Sequence, residues 1–237
     1  MNRTMAILLA AGSGKRFGHD QAKQFFRIGQ RTILEHCLDR FEAHSGIEGI
    51  ILVENPDYHD LTADLIKTNK YEKIVTVLSG GDTRQESSRT GVLAVPDAVE
   101  NVLIHDVARP LVSKEIIDRL IKSLERYPAA APAIPSADTL IEVNRDLLIR
   151  NIPDRETIMR VQTPQAFKLG VIRKAHEWAL RTGIENSPDD CSLILKAGLA
   201  DIRVVEGSEF NFKVTYPSDL GVVGAMPNRI AVEGEDS

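Results

Sequence analysis

The chain is 237 residues long, 43% hydrophobic and 27% charged, an ordinary globular composition that can bury a sizeable core in a single domain over 1–237. A formal charge of −5 and a pI near 5.7 speak against a nucleic-acid-binding surface, which needs a net basic patch, and leave room for a small anionic substrate met by local cations. No apolar run reaches membrane-spanning length, no signal-like segment precedes the first strand, and Cys37 and Cys191 have no metal-ligand or Cys-x-x-Cys spacing; the expectation is a cytoplasmic protein with reduced thiols and no membrane partner.

The first apolar run, Ala6-Ile7-Leu8-Leu9, passes through Ala10 and Ala11 into Gly12-Ser13-Gly14-Lys15-Arg16-Phe17-Gly18, with Gln21-Ala22-Lys23-Gln24-Phe25 close behind. It reads as a buried strand that ends in a loop whose backbone can approach an anion, phosphate above all. Gly12, Gly14 and Gly18 fit neither the P-loop spacing nor the Gly-x-Gly-x-x-Gly of a dinucleotide-binding turn. Thr32 and Glu35 then form a capping-box pattern, followed by Ile33, Leu34, Cys37, Leu38 and Phe41 at helical spacing. His36, among these apolar positions, is expected to be a helix-surface or partly buried histidine and not a catalyst.

Apolar, β-branched runs at Ile50–Val53, Ile74–Leu78, Val102–Ile104 and Ile202–Val205 alternate with helical patterns for the most part. That order predicts an α/β fold, a mostly parallel sheet flanked by helices, with its chemistry at the strand ends. A further helix is predicted from Lys114 to about Arg126, with Ile116, Ile117, Leu120, Ile121 and Leu124 as its core stripe. After Leu78 comes Gly80-Gly81-Asp82-Thr83-Arg84-Gln85-Glu86-Ser87, where the glycines let a base or ribose lie against backbone and Asp82 and Ser87 offer polar atoms to read it. After Ile104 comes His105-Asp106-Val107-Ala108-Arg109-Pro110, which places a metal ligand, Asp106, and a phosphate clamp, Arg109, on one loop. Thr139 to Ile149 alternates only loosely and carries Glu142, Arg145 and Asp146, the pattern of an exposed hairpin whose Leu140, Ile141 and Val143 want a partner chain.

The glycine-rich loop with Arg16 and Lys23, the Gly-Gly-Asp-x-Arg-x-x-Ser segment, His-Asp-x-Ala-Arg-Pro, Gln162-Thr163-Pro164-Gln165-Ala166-Phe167 and Asn211-Phe212-Lys213-Val214-Thr215 occur in this order. Together they closely resemble the cytidylyltransferases that activate methylerythritol phosphate or ribitol phosphate, from about Ala6 to about Leu220. The resemblance implies a CTP-dependent, Mg²⁺-requiring transfer of CMP to a polyol phosphate with release of pyrophosphate. It also implies a Rossmann-like homodimer in which a β-arm, at about 136–160, helps complete the partner's site, and a flexible tail at about 228–237. Carried over residue by residue, Ala10, Ala11, Gly12, Ser13 and Gly14 meet the nucleotide's phosphates, while Arg16, Lys23 and Lys213 face the charge that develops on the α-phosphate. Gly81, Asp82 and Ser87 read cytosine and ribose, Asp106 helps to hold Mg²⁺, and Val107, Arg109, Thr139 and Arg155 serve the acceptor.

The acceptor's phosphate is already a competent nucleophile when ionised, so this chemistry requires no Ser-His-Asp or Cys-His arrangement, and none is evident in the chain. Departures from the family bear on the acceptor. Pro188, in Ser187-Pro188-Asp189-Asp190, stands where the methylerythritol branch usually has a threonine, with Ser187 as a substitute hydroxyl. Ile152-Pro153-Asp154-Arg155 and the lack of a lysine after Asp138-Thr139-Leu140 look more like the ribitol branch, whereas the segments around Asp82 and Asp106 look more like the methylerythritol branch. Methylerythritol phosphate is expected, with ribitol phosphate as the alternative. A sugar-phosphate nucleotidyltransferase using UTP or GTP, and a non-catalytic nucleotide-binding module, are the readings of other kinds; a binding module gives no reason to combine Arg16, Lys23, Asp106 and Lys213.

Overall fold

The computed structural model describes residues 3–12 and 22–226; Ser13, Gly14 and Arg16 of the glycine-rich loop, and the tail at 228–237, lie outside the described residues. In chain order come β1 (Thr4–Ala10), β2 (Arg27–Ile28), β3 (Arg31–Thr32), α1 (Ile33–Glu42), β4 (Gly49–Glu54), α2 (His59–Asn69), β5 (Ile74–Ser79), α3 (Arg84–Ala94), β6 (Asn101–Asp106) and α4 (Lys114–Ser123). The second half adds β7 (Ala129–Pro135), β8 (Glu142–Val143), β9 (Ile149–Asn151), β10 (Met159–Val161), β11 (Gln165–Lys168), α5 (Leu169–Thr182), α6 (Asp190–Lys196), β12 (Ile202–Glu206) and α7 (Ser218–Gly224).

Among the described residues, one eight-stranded sheet carries the fold. β1 lies between β4 and β6, parallel to both, and β5 extends the parallel set beyond β4. β11 runs antiparallel to β6 and β7, β10 antiparallel to β7, and β12 parallel to β7, so the expected mostly parallel α/β sheet is the observed one. Both faces of its centre are covered, which is why β1, β4 and β6 read as unbroken apolar runs. The period of two still sorts the side chains. Ala6, Leu8, Ile50, Leu52 and Leu103 pack with Leu34, Leu38, Phe41, Ile117 and Leu120 on one face. Ile7, Ile51, Val53, Val102 and Ile104 pack with Val92, Phe167, Ile172 and Ile194 on the other.

Helix starts follow the sequence signals. Thr32 and Glu35 close a reciprocal capping box on α1, and Thr83 and Glu86 close another on α3. His36 is buried, not at the helix surface or only partly buried as expected, because its Nε2 lies 2.9 Å from the Ile28 carbonyl and ties α1 to β2. α4 stops at Ser123, short of the expected Arg126, because Leu124 caps it and the next residues form turns. The 139–149 hairpin is shorter in strand than its length suggests: β8 and β9 pair through an irregular register, with Leu147 at φ 60° in the turn. Its apolar residues stand in solvent, Leu147 at 79% exposure and Leu148 and Ile149 at 58% each. No helix among the described residues is long and apolar enough to cross a membrane.

Candidate active site

Strand order 6-1-4-5 means that the chain leaves β1 in one direction and returns past it to β6, which opens a crevice outside the carboxyl ends of the parallel strands. The crevice has a volume of about 660 Å³ and is walled by the segments that follow β1, β4, β5 and β6, together with Lys23, Gln24, Lys213 and Thr215. Of the residues singled out in the sequence, Ala10, Ala11, Gly12, Lys23, Gly81, Asp82, Ser87, Asp106, Val107 and Lys213 line it. This is nucleotide-sized space.

Each wall is fixed by local chemistry. Lys23 sits on a short 3-10 turn, Lys23–Phe25, held by Gln24, whose Nε2 donates to the Ala10 carbonyl at 2.8 Å, and by the Tyr58 hydroxyl, which accepts from the Ala22 N–H at 3.1 Å. Lys23 itself donates to the Val214 carbonyl at 3.1 Å, joining the first loop to the segment that carries Lys213. Gly80 donates its N–H to the Glu54 carbonyl at 2.7 Å, and a Cβ there would lie 2.3 Å from the Ala11 Cβ, so only glycine lets these two walls meet. Ser87 is buried; its Oγ accepts from the Gly81 N–H at 3.2 Å and donates to the Thr83 carbonyl at 3.1 Å, so the hydroxyl shapes the loop expected to read the base.

Asp106 ends β6 between two cations: Oδ1 takes Arg84 Nε at 2.9 Å and Oδ2 takes Lys213 Nζ at 2.7 Å. Burial alone pushes this carboxyl up, and Arg84 and Lys213 outweigh it and hold the group well below the ordinary carboxylate range. Arg84 reaches past Asp106 to a second buried carboxylate, Asp190 Oδ2, at 2.8 Å; burial opposes its charge, but the two acids keep the guanidinium firmly protonated. Arg84 is the site residue that the sequence reading quoted without giving it a role. Its arginine-to-acid partners lie 22 and 106 residues away, and the only sequence signal was its place two residues after Asp82 at a helix start.

The Gln162-Thr163-Pro164-Gln165 motif turns out to be support. Thr163 Oγ1 accepts from the Asp106 N–H at 3.1 Å and lies 3.0 Å from His105 Nδ1, while His105 Nε2 lies 3.0 Å from the Arg109 carbonyl. Because the threonine's proton is free for Nδ1, the histidine carries its own on Nε2, and burial brings its pKa down to about 4. Gln162 pins Ser208 and Asn211, ahead of Lys213, and Gln165 accepts from the N–H groups of Asp190 and Cys191 at the start of α6. Ser88, His176 and Asp190 also meet, but all are buried and the carboxylate faces the serine and Arg84 instead of the histidine's Nδ1, so the trio is not a nucleophile relay.

Other expectations change. Arg109 does not line the crevice: its Nη1 donates to the Asn211 carbonyl at 2.7 Å, and the cation three residues after Asp106 pins backbone while Arg84 takes the acid. Thr139 and Arg155 stand away from this chain's crevice, joined to each other at 2.9 Å on the exposed arm. Ser187 is buried, with its N–H on Gln85 at 2.8 Å, and is outside the crevice lining, so it does not stand in for the hydroxyl missing at Pro188. Among the described residues no three His, Cys, Asp or Glu side chains converge to cage a metal. Asp57, Asp82 and Asp106 line the crevice without converging, an arrangement that fits Mg²⁺ carried largely by substrate phosphates, with Asp106, at the end of the central strand β6, as the protein carboxylate that would hold it.

A glycine-walled crevice at a strand-order switch, with Lys23, Arg84 and Lys213 on its lining and, among the described residues, no nucleophile relay, defines an α/β enzyme for nucleotide phosphates. The family described as IspD, 2-C-methyl-D-erythritol 4-phosphate cytidylyltransferase, matches residues 4–228, and the chain belongs to it. It is therefore a cytidylyltransferase that uses CTP. A 2-C-methyl-D-erythritol 4-phosphate cytidylyltransferase of Desulforamulus reducens is 40% identical over 230 residues, covering 97% of each chain. A bifunctional ribulose 5-phosphate reductase/CDP-ribitol pyrophosphorylase of Haemophilus influenzae is also 40% identical, over 95% of this chain and 48% of that longer protein. In the solved structure of 4-diphosphocytidyl-2C-methyl-D-erythritol synthase from Anaerococcus prevotii, 30% identical, the fold agrees with a TM-score of 0.86 over 96% of this chain and 99% of that one.

Proposed function

We propose that this enzyme transfers CMP from CTP to 2-C-methyl-D-erythritol 4-phosphate, releasing pyrophosphate and forming 4-diphosphocytidyl-2-C-methyl-D-erythritol. The observation that carries the acceptor is the full-length match to a family and a relative that bear this name. Within the crevice, Ala10, Ala11 and Gly12, with Ser13 and Gly14 beyond the described residues, cradle the triphosphate, and Gly81, Asp82 and Ser87 frame cytosine and ribose. An oxygen of the acceptor's phosphate attacks the α-phosphorus in line, and pyrophosphate leaves. Lys23, Lys213 and Arg16 stabilise the crowded anionic centre; no side chain need remove a proton. Lys213 rests on Asp106, and its ammonium, with two further protons to donate, meets a phosphate oxygen without leaving that carboxylate when CTP enters. Asp106 is the residue that would hold Mg²⁺, which would supply further neutralisation of phosphate charge.

The acceptor's own phosphate requires cations too, and among the described residues those lining the crevice, Lys23, Arg84 and Lys213, serve CTP or hold Asp106. Arg155 and Thr139, already aligned on an arm rich in exposed apolar side chains, are suited to provide them across a homodimer, the arm of one subunit reaching its partner's site. Val107 lines the crevice beside Asp106 and faces the acceptor, with Arg109 fixing the loop behind it.

Ribitol 5-phosphate is the second reading, favoured by Pro188 and by the equally identical Haemophilus relative. A direct competition, with CTP and equal concentrations of both polyol phosphates, tests the choice by the CDP-polyol formed first. Predominant 4-diphosphocytidyl-2-C-methyl-D-erythritol supports the proposal; predominant CDP-ribitol replaces it.

A further inference from the structure

We propose that Asp190, which does not line the crevice, is a positioning residue for nucleotidyl transfer, acting through Arg84 and Asp106 on Lys213. The inference deepens the reaction proposed above and rests on Lys213 belonging to the reacting site. Asp190, Arg84, Asp106 and Lys213 form one chain of contacts, at 2.8, 2.9 and 2.7 Å. The far end is rigid. Asp190 is 2% exposed, its second oxygen takes the Ser88 hydroxyl, and its N–H donates to Gln165 Oε1 at 3.1 Å. A guanidinium is a planar fork, so fixing Nη1 on Asp190 also fixes the direction in which Nε presents itself to Asp106. The near end is loose: the Lys213 side chain is 37% exposed and flexible along its stem, and the aimed Asp106 carboxylate gives it one resting place at the crevice wall.

The charges alternate along the chain and sum to zero. Without the charge of Asp190, Arg84 loses one of its two acids, turns toward Asp106 with both nitrogens free to chelate it, and draws that carboxylate away from Lys213. The site is also left one unit more positive, which favours an anionic nucleotide. Loss of aim therefore lowers turnover while CTP binding is kept or strengthened, whereas a merely damaged site would bind CTP more weakly.

The test uses Asp190→Asn, Arg84→Lys and their combination, in steady-state turnover with whichever polyol phosphate the wild type accepts, and in calorimetric titration with CTP alone. Asp190→Asn is expected to lower kcat roughly ten- to hundredfold with an unchanged or lower CTP Kd, and to add no further loss to Arg84→Lys. Wild-type kcat in Asp190→Asn, weakened CTP binding in step with kcat, or losses that multiply in the double variant would each overturn the proposal. Should Asp190→Asn not fold, Arg84→Lys decides alone, since wild-type kcat there overturns it and the same split between kcat and CTP Kd supports it. Lys213→Ala separates the two levels: if it turns over normally, the reacting-site reading fails, and if it is slow while Asp190→Asn is normal, only the positioning role fails.

Discussion

Gly80→Ala puts the junction of the nucleotide-binding walls to a quantitative test. The added methyl would lie 2.3 Å from the Ala11 Cβ, 2.9 Å from Ser87 Oγ and 3.3 Å from the Glu54 carbonyl oxygen. Carbon atoms in contact need about 3.5 Å, so the β5–α3 loop and the end of β1 must part by about 1.2 Å. Gly80 has no rotamer with which to escape, and its N–H is anchored on the Glu54 carbonyl at 2.7 Å. Displacement by that amount also takes the Gly81 N–H, already 3.2 Å from Ser87 Oγ, out of hydrogen-bonding range. Overpacking costs about 1–3 kcal/mol and the lost hydrogen bond about 1 kcal/mol, so unfolding in urea should show a loss of about 2–4 kcal/mol. The functional cost follows from the same movement, because a misplacement of about 1 Å in a reacting geometry lowers the rate by about 10²-fold. Urea titration and CTP turnover on the same preparation measure both. A Gly80→Ala enzyme with wild-type stability and turnover would refute the claim that these walls meet at this residue.

Lys23→Ala should lower turnover by about 10²–10³-fold with a smaller loss of CTP affinity; weakened binding with normal turnover would make Lys23 a uniform-binding residue. Asp106→Asn should raise the Mg²⁺ concentration needed for half-maximal activity, and full wild-type activity in excess chelator would remove the metal from the account. Mixing inactive Arg155→Ala and Lys23→Ala subunits under exchange should restore activity through one mixed site, whereas a mixture as inactive as its parents places Arg155 in its own chain's site. His44, His105 and His176 are held neutral by burial, with pKa values below their ordinary 6.5 and His105 at about 4. The unfolded chain therefore takes up protons first as pH falls, so stability is full above about pH 6.5 and lost toward pH 4, by about 3 kcal/mol from His105 alone. Denaturant midpoints at pH 7 and pH 5 check this, and an unchanged or higher midpoint at pH 5 contradicts it.

The fold was legible where local pattern decides it. The capping box at Thr32, the β-branched runs and the helical stripe from Ile116 each declare an element, and the sheet follows from their alternation. The crevice was legible for residues that sit directly after strands, Gly81, Asp82 and Asp106 among them. What stayed hidden is long-range. Asp106 and Arg109 are close in sequence and suggested one clamp, yet β6 sends them to different partners, and Arg84 arrives from the start of α3 to take the acid. Gln162, Thr163 and Gln165 carry the look of a functional motif because three separate segments of the site depend on their hydrogen bonds, a dependence that spacing along the chain does not express. Ser187 reads as a substitute for the hydroxyl missing at Pro188, but a bond to Gln85 of α3, 102 residues away in the chain, ties its N–H down, and the residue is buried.

The central claim is that cations position CTP and its acceptor for a single direct displacement without an enzyme nucleophile. The stereochemical course at the α-phosphorus tests it most directly. With CTP carrying one sulfur of defined configuration on the α-phosphate and a polyol phosphate as acceptor, ³¹P NMR of the CDP-polyol product should show inversion; retention would reveal two successive displacements through a covalent enzyme intermediate and contradict the account.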